Sequence, residues 1–195
     1  MMSTKTRISI FASGNGSNAE NIFNYFKNNN SVEIVSILSN RKDAYIFHRA
    51  KNIGVPSFHI VNSEFRNGDK VIELLKEQNV DLIILAGFLL RIPQNIIATF
   101  PKGIINIHPA LLPKYGGKGM YGDNVHKAVK AAGDTKSGIT IHLVNEHYDE
   151  GKHLAQVESQ VSSIDTYEDI ANKVHELEYE YFPKVIDNYI LENLL

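Results

Sequence analysis

The chain has 195 residues, 43% hydrophobic and 22% charged, with a formal net charge of -2. That is ordinary globular composition with room for one good-sized core, and it lacks the clustered Lys and Arg of a nucleic-acid or anionic-membrane surface. Cysteine is absent, which excludes disulfide and thiolate chemistry. The longest apolar run, Leu82 to Leu90, is interrupted by Gly87 and falls short of the ~20 residues that span a bilayer.

The opening MMSTKTRISIF enters a strand pattern without an apolar leader core, which predicts a cytoplasmic protein. Arg7 to Ala12 reads as a strand, and Ser17 to Asn29 as a helix with Ile22, Phe23 and Phe26 on one stripe. Val32 to Leu38 is a second strand, and Asp43 to Ile53 a second helix that stops at Gly54. Pro56 to Ile60 is a short extended piece and Gly68 to Gln78 is helical. The run VDLIILA, Val80 to Ala86, is apolar on both faces, as a central parallel strand is. Pro93 to Phe100 is a short helix with Pro at its start, and Gly103 to His108 a strand that Pro109 ends. Gly122 to Ala132 is a helix, Gly138 to Val144 and Leu154 to Ser159 are strands, and Thr166 to Tyr189 is a long helix with a kink expected near Pro183.

This alternation predicts an α/β fold: a Rossmann-like, doubly wound, mostly parallel sheet with helices on both faces. No linker composition divides it, so residues 1–195 read as a single domain. Ligands of such sheets bind at the carboxyl ends of the strands, here Ser13 to Asn18, Gly87 to Arg91, Asn106 to Pro113 and Asn145 to Gly151.

The first of these loops, GNGSNA, fits the dinucleotide pattern G-x-G-x-x-A. That pattern also needs an acid at the end of the second strand, where Ser39 and Asn40 stand instead. A single phosphate fits better. Gly14 and Gly16 allow close backbone approach, Ser17 and Asn18 offer side-chain hydrogen bonds, and the following helix presents free N–H groups. The alternative is a plain strand-to-helix turn with Ser17 as the helix cap.

In GIINIHPALLPKYGG, strand alternation puts Asn106 and His108 on one face at a strand's carboxyl end. The segment GITIHLVNEHYDEG carries Asp149 on the loop after another strand. An amide donor, an imidazolium held charged by a carboxylate, and that carboxylate suit acyl transfer through a stabilised oxyanion. A metal set of His142, His147, Asp149 and His153 matches no familiar ligand spacing, so no metal is expected. A serine hydrolase lacks its G-x-S-x-G elbow.

With SGNGSN, LAGF at Leu85 to Phe88, NIHPALLPKY at Asn106 to Tyr115 and GITIHLV...DEG ending at Gly151, the chain resembles the phosphoribosylglycinamide formyltransferases over nearly its whole length. The resemblance implies that the N-terminal half binds phosphate and the C-terminal half is catalytic and folate-binding. It implies formyl transfer from 10-formyltetrahydrofolate to the amine of glycinamide ribonucleotide, in purine biosynthesis. Gly14, Asn15, Gly16, Ser17 and Asn18 would hold the phosphate and ribose. Asn106, His108 and Asp149 would be catalytic, with Asn106 and protonated His108 on the oxyanion. Glu178 would sit on the amine side, against the alternative of one more exposed acid on an acid-rich helix. Leu89, Leu90, Arg91, Ile92, Asn106 and the loop Val144 to Asp149 would line the folate pocket, with His142 in a supporting role. The chain departs from the family where Leu89-Leu90-Arg91 displaces the basic residue by one, which in a strand-like segment flips its side. It departs again in the longer, Gly-rich KYGGKGMYGDN. Other folate formyl-group enzymes, and a non-catalytic nucleotide-binding module, are the competing readings; oligomeric state is left open.

Overall fold

The computed structural model describes residues 5–195. Met1 to Thr4, which open the segment read above as lacking a leader, lie outside the described residues. The elements run β1 (Thr6–Phe11), α1 (Ser17–Phe26), β2 (Val32–Ser39), α2 (Ile46–Ile53), β3 (Ser57–His59), α3 (Asn62–Asn67), α4 (Asp69–Glu77), β4 (Leu82–Leu85), α5 (Gln94–Thr99), β5 (Ile104–His108), α6 (Asp123–Ala132), β6 (Lys136–Leu143), β7 (His153–Gln160) and α7 (Tyr167–Asn193). The strands form a seven-stranded sheet in the order β3-β2-β1-β4-β5-β6-β7. Among the described residues, no helix is long and apolar enough to cross a membrane.

Two compact units emerge. The first runs to Ile105 and takes back Ile190–Leu195. Within it β1 pairs in parallel with both β2 and β4, and β2 with β3. Ile8, Ile10 and Phe11 of β1 and all four residues of β4 are buried, so a strand covered on both faces carries an unbroken apolar run. Ser9 and Ser36, on adjacent strands, satisfy each other at 2.8 Å, which lets two hydroxyls lie in this core. The second unit is Asn106–Tyr189. There β6 and β7 pair antiparallel; β6 is buried, whereas β7 alternates as an edge with one wet face does.

Several boundaries differ from the sequence reading. Helix α2 begins at Ile46 because Lys42 and Asp43 form a turn. Helix α3 occupies a stretch that carried no expectation; its six residues are too few for a periodic apolar stripe. Residues 88–92 are not a strand, so the alternation argument applied to Arg91 has no basis there. Helix α7 continues through Pro183 to Asn193. Its buried Ile170, Val174, Phe182, Ile186 and Ile190 recur every fourth residue along one ridge.

Candidate active site

In the first unit, the loop after β1 is stitched down residue by residue. Gly16 caps α1 in the left-handed region, with φ 77°. A Cβ there would stand 2.1 Å from Cδ1 of Ile46, so both the backbone turn and the close approach of α2 require glycine. The cap is therefore Gly16, and Ser17 is the first helical residue. Ile46 N donates to Gly14 O at 3.2 Å. The Arg49 guanidinium grips Asn15 through both its carbonyl (3.0 Å) and its Oδ1 (2.6 Å), and also pairs with Glu20. Ser17 and Asn18 are half-buried and Gly14 and Asn15 exposed, at the end of a helix whose first N–H groups have no intrahelical acceptor.

The ends of β1, β2 and β4 are tied at the same place. Ser13 Oγ donates to Asn40 Oδ1 at 2.6 Å and accepts from Leu89 N at 3.0 Å. Asn40, standing where a dinucleotide site carries its ribose-binding acid, is thus used inside the fold. Leu89 is 44% exposed, Leu90 half-buried and Arg91 exposed, while Ile92 belongs to the core. Sequence reasoning named Ser13 and Asn40 but not the partners that hold them, and it missed Arg49. Their partners lie far along the chain, and no local pattern marks them.

The second unit brings Asn106, His108, His142 and Asp149 together. Asn106 and His108 are i and i+2 on β5, and His142 is the seventh residue of β6. Asp149 sits on the loop between β6 and β7 with φ 56°. Its carboxylate lies between the two imidazoles, Oδ2 3.7 Å from His108 Nδ1 and Oδ1 3.6 Å from His142 Nε2. Gly117 N donates to the same Oδ2 at 2.8 Å. The segment leading out of β5 is fixed by Thr140 and Gln156. Leu112 N donates to Thr140 Oγ1 at 3.0 Å, Thr140 donates to Ala110 O at 2.7 Å, and Gln156 Nε2 donates to Leu112 O at 2.9 Å.

The hydrogen bonds fix the tautomers. His142 Nδ1 is 2.9 Å from the Leu143 carbonyl, which can only accept, so Nδ1 carries the proton. Its Nε2 then accepts from Asn106 Nδ2 at 3.1 Å, which settles which end of that amide is the donor. His108 Nε2 is 2.7 Å from the Tyr115 carbonyl and is protonated for the same reason. His108 Nδ1, facing Asp149, is the nitrogen that titrates.

Here the structure corrects one expectation. Burial of the His108 ring lowers its pKa, and this outweighs the opposing effects of the Asp149 charge and the Tyr115 carbonyl. The resting ring is therefore neutral at pH 7 rather than protonated. Burial also acts to raise the Asp149 pKa, but the neighbouring His142 imidazole, the Gly117 N–H and the His108 imidazole more than offset it and hold it below the ordinary range. The site at rest is a carboxylate beside a neutral imidazole.

Glu178, on α7, is only 7% exposed and occupies the same every-fourth row as Val174 and Phe182. An acid in an otherwise apolar ridge is a signal legible in the sequence, and it sets Glu178 apart from the exposed acids of that helix. His147 is exposed and lies 3.7 Å from Glu146, and His153 is exposed on β7.

A family model described as formyl transferase matches residues 6–186. Phosphoribosylglycinamide formyltransferase of Bacillus subtilis is 34% identical over 185 residues, 92% of each chain. The chloroplastic phosphoribosylglycinamide formyltransferase of Arabidopsis thaliana is 37% identical over 188 residues, and this chain spans 64% of its length, a little under two thirds. A solved phosphoribosylglycinamide formyltransferase from Brucella melitensis superposes with a TM-score of 0.86 at 30% identity, covering 95% of this chain and 96% of that one. The match takes in β1 through most of α7, and the chain belongs to the formyl transferase family.

Proposed function

We propose that the chain transfers the formyl group of 10-formyltetrahydrofolate to the amine of glycinamide ribonucleotide, in the cytoplasm, as a step of purine biosynthesis. The observation that carries this reading is the cluster of Asn106, His108, His142 and Asp149, set beside relatives of 34–37% identity that bear the phosphoribosylglycinamide formyltransferase name. The N-terminal part, through Gly14 to Asn18, takes the phosphate and ribose. The C-terminal part carries the chemistry and, through Asn106 and the loop Val144 to Asp149, folate contacts. Glu178 faces the amine.

The chemistry follows from the protonation states. When the amine attacks the formyl carbon, the carbonyl oxygen gains charge. Asn106, its amide locked by His142, presents a fixed N–H dipole to that charge. Neutral His108 becomes more basic as negative charge grows nearby, and Nδ1 is the position where it takes up the proton that the amine must lose, relayed by Asp149 directly or through water. Asp149, ionised again once it has passed that proton on, stabilises the imidazolium. Collapse breaks the bond from carbon to N10, the same proton goes from His108 to N10, directly or through water, and the formamide and tetrahydrofolate leave.

The test follows the absorbance change as 10-formyltetrahydrofolate loses its formyl group, with and without glycinamide ribonucleotide. Loss that requires the ribonucleotide is expected, together with a roughly 10³-fold lower kcat in His108→Ala. The double variant Ser17→Ala, Asn18→Ala should raise KM for the ribonucleotide. Ribonucleotide-independent turnover would instead identify a hydrolase.

A further inference from the structure

Tyr115 has a left-handed backbone with φ 57°, a conformation that costs a bulky residue about 1 kcal/mol or more. Its peptide carbonyl is the acceptor 2.7 Å from His108 Nε2. Two residues on, Gly117 N donates to Asp149 at 2.8 Å. One short segment thus sets the second nitrogen of the imidazole and one oxygen of the carboxylate that faces it.

The far end of Tyr115 explains how an unfavourable backbone is kept. Its hydroxyl donates to Asp134 Oδ2 at 2.8 Å. Asp134 lies between the glycine that ends α6 and the first residue of β6, and is also clasped by Lys114 Nζ at 2.8 and 2.7 Å. The Lys114 ammonium stands 5.5 Å from the centre of the Tyr115 ring. Phenol, carboxylate and ammonium form a closed anchor outside the cluster of Asn106, His108, His142 and Asp149.

We propose that Tyr115 and Asp134 are positioning residues that choose the tautomer of His108. The anchor holds the Tyr115 peptide so that its carbonyl keeps a proton on Nε2 and leaves Nδ1 to exchange with Asp149. Were that carbonyl to swing away, the neutral ring would place its proton on Nδ1, toward the carboxylate, and the titrating nitrogen would face the wrong way. This rests on the reading of His108 as the group that serves formyl transfer.

The test uses Tyr115→Phe, which keeps the ring and removes the hydroxyl, Asp134→Ala, and the conservative Asp134→Asn, whose Oδ1 still accepts from the phenol. The tautomer of His108 is read from its ring 15N resonances in the ligand-free protein, and kcat and KM are measured alongside. The wild type should show one Nε2–H tautomer above its pKa. Tyr115→Phe and Asp134→Ala should show a mixture, with kcat down roughly tenfold and KM for the ribonucleotide within about twofold; Asp134→Asn should restore both. An unchanged 15N pattern in Tyr115→Phe and Asp134→Ala overturns the proposal, even if kcat falls with thermal stability. The 15N measurement needs no turnover, so a protein that fails to transfer formyl groups defeats the functional reading while this result still stands or falls by itself.

Discussion

His108 is held by opposing forces, of which burial is the larger. Burial pushes it toward the neutral form, and Asp149 and the Tyr115 carbonyl pull it toward the charged one. A base poised in this way answers to a small change in nearby charge, which is what a developing oxyanion supplies. Asp149→Asn isolates the electrostatic part. Asparagine tolerates the left-handed backbone that Asp149 adopts, so the loop should keep its course while the charge is lost. With the raising influence gone, the His108 pKa should move further below its ordinary value, and kcat near neutral pH should fall by about 10²-fold. NMR titration of the His108 ring checks the first, and steady-state rates the second. A His108 pKa that stays put would dissolve the pairing inferred from the 3.7 Å separation.

At the scale of elements, the hairpin of β6 and β7 bears the closest tolerances. A Cβ on Gly151 would stand 1.6 Å from the Leu143 carbonyl oxygen, the same atom that fixes the His142 tautomer, and 3.4 Å from His142 Nδ1. Gly151→Ala must displace that carbonyl, at a cost of about 3 kcal/mol, and free the His142 ring to flip its proton. Release of His142 loosens Asn106 in turn, so the variant should lose activity beyond its loss of stability. A chemical melt and a rate measurement, both below the midpoint, separate the two. The strand ends that carry Asn106 and His108 were legible because period-two alternation and Pro109 act locally. So was α7 as a long helix, although its continuation past Tyr189 to Asn193 was not. What could not be read was anything decided across the chain. Asn40 binds Ser13, Arg49 binds Asn15, and Tyr115 meets His108 only because its backbone turns left-handed, which no side-chain pattern announces. The charge of His108 was misread for a related reason: alternation gives the face of a strand, not how completely that face is buried.

Taken as a whole, the second unit contains a further buried base, and it governs how the protein answers to acid. His126, on α6, is 2% exposed, and its Nδ1 has no hydrogen-bond partner. Burial, reinforced by His175 nearby, pushes its pKa down to about 4, against a smaller opposing effect from Asp123. The His175 ring meets it edge-on at 6.4 Å. In the unfolded chain the same imidazole titrates near 6.5. As pH falls through 6.5 the unfolded state therefore takes up a proton that the folded state refuses, and stability is lost until the folded pKa is reached. His108, also lowered, acts in the same direction. Carboxylates held low in the fold, Asp149 among them, contribute stability that goes only below about pH 4, so the two windows do not overlap. Between pH 7 and pH 5 the loss is then a histidine effect, and His126 alone accounts for about 2 kcal/mol of it. For a chain of this length that is roughly 4–8 °C in Tm. In His126→Phe, which cannot titrate and keeps an aromatic ring against His175, the drop in Tm between pH 7 and pH 5 should shrink by at least half, whatever the variant's Tm at pH 7. A drop as large as the wild type's would mean that His126 accepts a proton in the fold, and that α6 opens to water well above pH 4.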